Sequence, residues 1–165
     1  MLKAMIVDDE APSRSELAYL LGEVGGVEVV VEASGVREAI EKLKEYPVDV
    51  IFLDINMPEA TGLQFAEALK RLKFPPAVVF VTAYSEYALD AFKVNAVDYL
   101  LKPVETERLA QAIQRVREQV SLHVKAQKNE RIPVEKGGKK ILIGIDSIRF
   151  VKARDDYAYL QTDTD

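Results

Sequence analysis

The strongest constraint on this chain is a set of short apolar runs, four of which end in a polar residue of a chemically distinct kind. Ala4-Met5-Ile6-Val7 runs into Asp8 and Asp9, Val50-Ile51-Phe52-Leu53 into Asp54, Val78-Val79-Phe80-Val81 into Thr82, and Tyr99-Leu100-Leu101 into Lys102. Runs this short and this apolar read as parallel strands buried on both faces. Their carboxyl ends then share one edge of a sheet, where open α/β folds place their ligand sites. Three carboxylates, a hydroxyl and an amine converge there, a grouping suited to a divalent cation and a phosphoryl group.

Periodicity supplies the rest of the fold. Strand-like runs lie near residues 3–7, 27–33, 48–53, 77–81 and 97–101, with helical patterns between them. Pro12 suits a first helical turn, followed by Leu17, Leu20, Leu21 and Val24 at helical spacing. Ser34 reads as the N-cap of a second helix, with Glu38 near the capping-box position. Gly62-Leu63 opens a third helix, which Pro75-Pro76 stops, and Tyr84 to Val94 gives a shorter fourth. Right-handed crossovers then predict an α/β fold, a doubly wound five-stranded parallel sheet.

The last helix of this unit starts near Glu105 and is long for a helix that only caps a sheet. Leu109, Ile113, Val116, Val120 and His123 alternate spacings of four and three, the pattern of a dimer seam. Core packing accounts for that pattern up to Val116, and a seam or interdomain helix is expected beyond it. His123, the sole histidine, reads as a solvated or seam residue, not a metal ligand or phosphoacceptor. After Gln127-Lys128-Asn129-Glu130 the texture turns to strands only: Ile132 to Glu135, Lys140 to Ile145, Ile148 to Lys152 and Tyr157 to Gln161. Turns fall at Gly137-Gly138, Asp146-Ser147 and Asp155-Asp156.

Composition narrows the function classes. Residues 1–128 carry the whole formal charge of −5 and residues 129–165 are balanced, so no basic footprint for nucleic acid is visible. Without cysteine there is neither a disulfide nor a thiolate metal site. No apolar run approaches the ~20 residues of a membrane span, and Asp8, Asp9 and Glu10 interrupt any signal-peptide core. A cytoplasmic protein with no membrane association is expected.

Taken singly, each polar residue has an ordinary reading. Asp8 and Asp9 would be a solvated turn, Asp54 an Asx-turn residue, Thr82 a helix cap and Lys102 a loop cation. Jointly, however, the Asp8-Asp9 pair, Asp54-Ile55-Asn56-Met57-Pro58 with Gly62, Val81-Thr82-Ala83, and Asp98-Tyr99-Leu100-Leu101-Lys102-Pro103 resemble the receiver domain of two-component response regulators. The resemblance spans roughly residues 2 to 125 and implies a flavodoxin-like receiver over residues 1–125. It also implies that Asp54 is the phosphoacceptor, that Thr82 and Lys102 bind phosphoryl oxygens, and that Mg²⁺ is held by Asp8, Asp9, Asp54 and the backbone carbonyl of Asn56. Physical chemistry agrees with those roles, since a carboxylate attacks a phosphoryl group only when a cation and an ammonium offset the shared negative charge.

Further expectations come from the same resemblance. Thr82 and Tyr99 form the switch, Asn56 and Tyr84 flank the path of a hydrolytic water, and the Lys102-Pro103 bond is cis although only about 5–6% of such bonds are. The partners implied are a sensor histidine kinase and a second copy of the chain on phosphorylation. A surface of the fourth helix, fifth strand and fifth helix serves that dimer, with Lys93, Asp98 and Arg115 available for salt bridges. Residues 126–130 continue the last helix as a linker. Residues 131–165 are similar to the opening strands of a LytTR-type DNA-binding domain, of which the chain is expected to hold only the N-terminal part, so DNA contacts belong to the full-length protein and to no residue here. Two alternatives stay open. One is a phosphate-gated interaction module without a DNA target. The other is a haloacid-dehalogenase-type phosphatase, which needs an aspartate two residues after its nucleophile, where this chain has Asn56. The preferred reading is a regulator that accepts a phosphoryl group and is not an enzyme of turnover beyond autodephosphorylation.

Overall fold

A computed structural model describes residues 1–129, 131–144, 148–154 and 157–162. Five parallel strands, β1 (Leu2–Val7), β2 (Val27–Ala33), β3 (Val50–Leu53), β4 (Ala77–Thr82) and β5 (Asp98–Leu101), form one sheet in the order β2-β1-β3-β4-β5. Between them run α1 (Ala11–Val24), α2 (Val36–Glu45), α3 (Gly62–Leu69) and α4 (Ala88–Lys93), and α5 (Thr106–Asn129) follows β5. This is the doubly wound five-stranded sheet that the strand and helix alternation predicts, in the flavodoxin-like form that the resemblance implies.

Alternate residues of each strand feed two separate cores. Ala4, Ile6, Val50, Phe52, Val79, Val81 and Leu100 pack with Leu17 and Leu21 of α1 and Leu109, Ile113 and Val116 of α5. Met5, Val7, Ile51, Leu53, Val78 and Phe80 pack on the other face with Ala39 of α2, Phe65, Ala66 and Leu69 of α3, and Ala91 of α4. Burial of each large side chain stabilises the fold by about 1.5–3 kcal/mol. The central strands β3 and β4 are buried along their whole length, so their positions, and those of the residues that follow them, are the most firmly fixed.

Three helix boundaries differ from the sequence expectation, each for a local reason. Gly35, in extended conformation, is the N-cap of α2, and Ser34 instead donates both its N–H and its hydroxyl to the Glu38 carboxylate. That contact and Lys42 hold Glu38 at a pKa of about 2, the Lys42 hydrogen bond being the largest cause. Helix α3 ends at Leu69, ahead of Pro75-Pro76, because Arg71 and Leu72 donate to Ala68 and Leu69 in tighter turns. Helix α4 begins at Ala88 and not at Tyr84, since the Tyr84 carbonyl accepts the Tyr99 hydroxyl and the Ala88 N–H turns to Ser85.

The chain divides into two compact units, Met1–Val120 and Ser121–Asp165. Of the seam positions, Leu109, Ile113 and Val116 are buried in the core of the first unit, Val120 packs at its margin and His123 is exposed. In the second unit β6 (Arg131–Lys136) pairs antiparallel with β7 (Lys139–Gly144) through Gly137 and Gly138, and β8 (Ile148–Arg154) pairs antiparallel with β9 (Tyr157–Thr162). Both glycines have positive φ, which a tight hairpin turn requires. The predicted turns at Asp146-Ser147 and Asp155-Asp156 lie outside the described residues.

Candidate functional site

The strand order reverses between β1 and β3, and the candidate residues stand at the carboxyl ends there. Asp8 follows β1, Asp54 follows β3, Thr82 closes β4 and Lys102 follows β5. Asp54 is fixed through its backbone, donating its N–H to the Val7 carbonyl at 2.9 Å, while its Oδ1 accepts the Ile55 N–H at 2.7 Å. Its Oδ2 faces the Lys102 ammonium at 3.3 Å. Lys102 also donates to Asp8 Oδ2 at 2.7 Å, and Asp8 Oδ1 accepts the Glu10 N–H at 2.9 Å.

Asp8, Asp9 and Asp54 each bring a carboxylate oxygen within 4.8 Å of one another. Asp8 and Asp54 are buried, while Asp9 is exposed and its carboxylate has no hydrogen bond or ion pair among the described residues. A set of hard oxygen donors with one open side fits a small divalent cation that keeps several waters. Asn56 follows two residues after Asp54, on the exposed loop that leads to α3. Thr82 is fully buried, its Oγ1 accepting the Tyr84 N–H at 3.4 Å. The site thus joins Asp8, Asp54 and Lys102 by hydrogen bonds and brings the Asp9 carboxylate close to them, with Thr82 closing β4 and Asn56 on the loop after β3.

Opposing effects act on the two central charged groups, Asp54 and Lys102. Burial pushes the Asp54 carboxyl above its ordinary pKa, Lys102 pulls it back and Asp8 pushes it further up. Burial also weighs against the Lys102 charge, but its bond to Asp8 and the charges of Asp54 and Asp8 hold it above its ordinary value. The Lys102-Pro103 peptide bond is cis, as the resemblance implies.

Tyr99 is half-buried against Phe80, and its hydroxyl donates to the Tyr84 carbonyl. Tyr84 therefore links Thr82, through its N–H, to Tyr99, through its carbonyl. Burial raises the Tyr99 pKa, keeping that hydroxyl a donor.

Several contributors escape sequence reasoning. Asp98 does not present a free carboxylate to a partner's surface. It is buried and accepts hydrogen bonds from Arg108 Nη1 at 2.7 Å, Arg108 Nη2, Arg115 Nη1 at 2.9 Å and the Tyr99 N–H at 2.8 Å. Burial alone would raise its pKa, but these contacts lower it. Lys93 lies beside Asp90 of its own helix at 3.8 Å. Arg14 reaches the Asp8 main chain, a contact whose only sequence signal is an arginine six residues after the acid. Gly62 approaches Asp54 so closely that an added Cβ would stand 2.1 Å from the Asp54 carbonyl oxygen.

Comparison with known proteins agrees with this geometry. The family model described as response regulator receiver domain matches residues 4–114. The chain is 44% identical over 120 residues to the sensory transduction protein LytR of Staphylococcus haemolyticus, covering 73% of this chain and 47% of that one. It is 46% identical over 119 residues to the sensory transduction protein LytT of Bacillus cereus, covering 72% and 48%. The chain thus spans about half the length of the curated relatives it matches. The solved response regulatory domain of protein mrkE from Klebsiella pneumoniae superposes with a TM-score of 0.68 at 32% identity, covering 73% of this chain and 99% of that one. With its sheet order, its strand-end carboxylates and lysine, and this match, the chain belongs to the response regulator receiver domain family.

Proposed function

We propose that this protein is a two-component response regulator in which Asp54 accepts a phosphoryl group from a sensor histidine kinase and so switches a transcriptional effector. One observation carries the reading: a buried strand-end carboxylate lies 3.3 Å from a lysine ammonium, with two further carboxylates at hand for a cation. An Asp54 oxygen forms a bond to phosphorus as the phosphorus–nitrogen bond of the phosphohistidine breaks and the imidazole nitrogen regains a proton. Asp8, Asp9, Asp54 and the Asn56 carbonyl are the residues that would hold Mg²⁺, which supplies charge neutralisation at the phosphoryl oxygens. Lys102 stabilises one phosphoryl oxygen as a point charge, and the Thr82 hydroxyl donates to another.

Movement of the Thr82 hydroxyl toward the phosphate releases the Tyr84 N–H that it now accepts, and Tyr84 carries the change to Tyr99. That chain of contacts is a two-state element biased by a local charge. Asn56 and Tyr84 set the access of a hydrolytic water, and so the lifetime of the aspartyl phosphate. The phosphorylated protein dimerises, acts in the cytoplasm and, like a relative described as a transcriptional regulatory protein, works through DNA, here by way of a LytTR-type domain that begins near residue 131. Residues 1–125 are the receiver and 126–130 the linker in this proposal. Among the described residues no helix is long and apolar enough to cross a membrane.

Incubation with Mg²⁺ and a small phosphodonor tests this, with intact mass read for wild type and Asp54→Asn. One added phosphoryl group on wild type alone supports it, and its loss with a chelator supports the cation. Equal labelling of both proteins contradicts it.

A further inference from the structure

Asp9 poses a physical problem. Its carboxylate belongs to the acidic cluster, yet nothing among the described residues holds its side chain. Its position must then come from the backbone of the turn after β1. That turn is fixed at three points on Asp8: the Asp8 N–H donates to the Ala33 carbonyl at 3.1 Å, Asp8 Oδ1 accepts the Glu10 N–H at 2.9 Å, and the Asp8 carbonyl accepts Arg14 Nη1 at 2.7 Å. The carbonyl contact is the only one of the three that orients the peptide plane joining Asp8 to Asp9.

Arg14 can do this because it is itself anchored. Its Nε donates to Glu32 Oε2 of β2 at 3.2 Å, so the planar guanidinium bridges α1, the β1 turn and the edge strand. The side chain is 18% exposed, leaving it little freedom to sample other partners. Glu32 also offsets the guanidinium charge, so a cation is placed near the three carboxylates without cancelling their attraction for a metal. Among the described residues Arg14 touches none of the cluster's carboxylates.

We infer that Arg14 is a positioning residue for the metal cradle, orienting the Asp8–Asp9 peptide so that the otherwise unheld Asp9 carboxylate faces the ion. The inference rests on the proposed Mg²⁺ site and deepens it. Partners behind metal ligands commonly govern affinity by 10- to 100-fold. A lysine cannot reproduce a two-armed grip with one point charge.

Charge and geometry predict opposite signs here, which makes the test decisive. By charge alone, Arg14→Gln removes a positive group near a cation site and tightens Mg²⁺ binding. By positioning, Arg14→Gln weakens Mg²⁺ binding about tenfold, and Arg14→Lys weakens it by a smaller factor with the charge unchanged. Calorimetric titration of the full chain with MgCl₂ reads both, alongside phosphorylation rates over a range of Mg²⁺. The expected result is a raised half-saturating Mg²⁺ with the wild-type rate recovered at saturation. Unchanged or tighter binding in Arg14→Gln overturns the inference, as does wild-type affinity in Arg14→Lys, which decides alone should Arg14→Gln not fold. A slower rate at saturating Mg²⁺ with unchanged affinity also overturns it. Absence of Mg²⁺ binding by the wild-type chain overturns both this inference and the proposed function, whereas wild-type binding with unaffected variants overturns this inference only.

Discussion

Gly62→Ala is the substitution whose effect the structure determines most closely. An ideal Cβ at this position stands 2.1 Å from the Asp54 carbonyl oxygen and 3.0 Å from the Asp54 carbonyl carbon, while ordinary contact begins near 3.4 Å. The two backbones must separate by about 1.3 Å at the closest pair, and neither is a flexible side-chain end that can swing aside. The Gly62 N–H also bonds the Ile55 carbonyl at 2.8 Å, so the separation pulls on the residue next to Asp54. Misplacement of a reacting group by ~1 Å costs about 10²-fold in rate. Movement of α3 takes up part of the strain, so Gly62→Ala is expected to slow phosphorylation of Asp54 by about 10- to 100-fold and to destabilise the fold by about 1–3 kcal/mol. The assay is the initial rate of phosphoryl incorporation by intact mass at saturating Mg²⁺, with a thermal melt in parallel. Gly22→Ala is the internal control: Gly22 lies in α1 with nothing near its would-be Cβ, so stability should rise by about 0.5–1 kcal/mol with the rate unchanged. A Gly62→Ala rate within twofold of wild type, or equal slowing by both substitutions, refutes the reasoning.

Two further substitutions probe the charges. Because burial raises the Asp54 pKa, its ionisation disfavours the folded state as pH rises, so Asp54→Asn should melt higher than wild type at pH 7. That increment should vanish below the ordinary carboxyl value of 3.8, where the aspartate is protonated folded or unfolded, and melting curves across pH check it. Asp98 behaves oppositely, since its lowered pKa gives stability that is present above 3.8 and lost as pH falls through the folded value. Asp98→Asn should therefore destabilise at neutral pH, by about 1–2 kcal/mol and less than for a fully buried pair, because Arg108 and Arg115 are 36% and 55% exposed. Denaturant titration at pH 7 reads that loss, and an unchanged midpoint contradicts the clamp.

Much of the first unit is legible in the sequence because its central strands are buried on both faces. Val50 to Leu53 and Ala77 to Val81 leave no polar position that would blur them into helix. The polar residue after each run is likewise legible, since the fold itself sends strand ends to one edge. Less legible are features that depend on backbone atoms meeting in space. The late start of α4 follows from the Tyr99 hydroxyl capturing the Tyr84 carbonyl, a contact spanning 15 residues that no local propensity encodes. Arg14 acts on a main-chain oxygen, and Arg108 on a carboxylate in the preceding strand, so neither forms a pattern with neighbours of its own kind. The α5 pattern is ambiguous for a different reason: spacings of four and three suit a helix on a sheet as well as one on another helix. Leu109, Ile113 and Val116 are already buried within their own unit.

The role of Asp54 can be tested at the level of the bond formed. An aspartyl phosphate is an acyl phosphate, which borohydride reduces to the alcohol, converting the aspartate to homoserine. The chain treated with Mg²⁺ and a phosphodonor, reduced, digested and sequenced by mass spectrometry should carry homoserine at position 54, and the conversion should disappear when the phosphodonor is omitted. Homoserine at another acidic residue, or a phosphorylated chain with position 54 unchanged after reduction, would contradict the central claim.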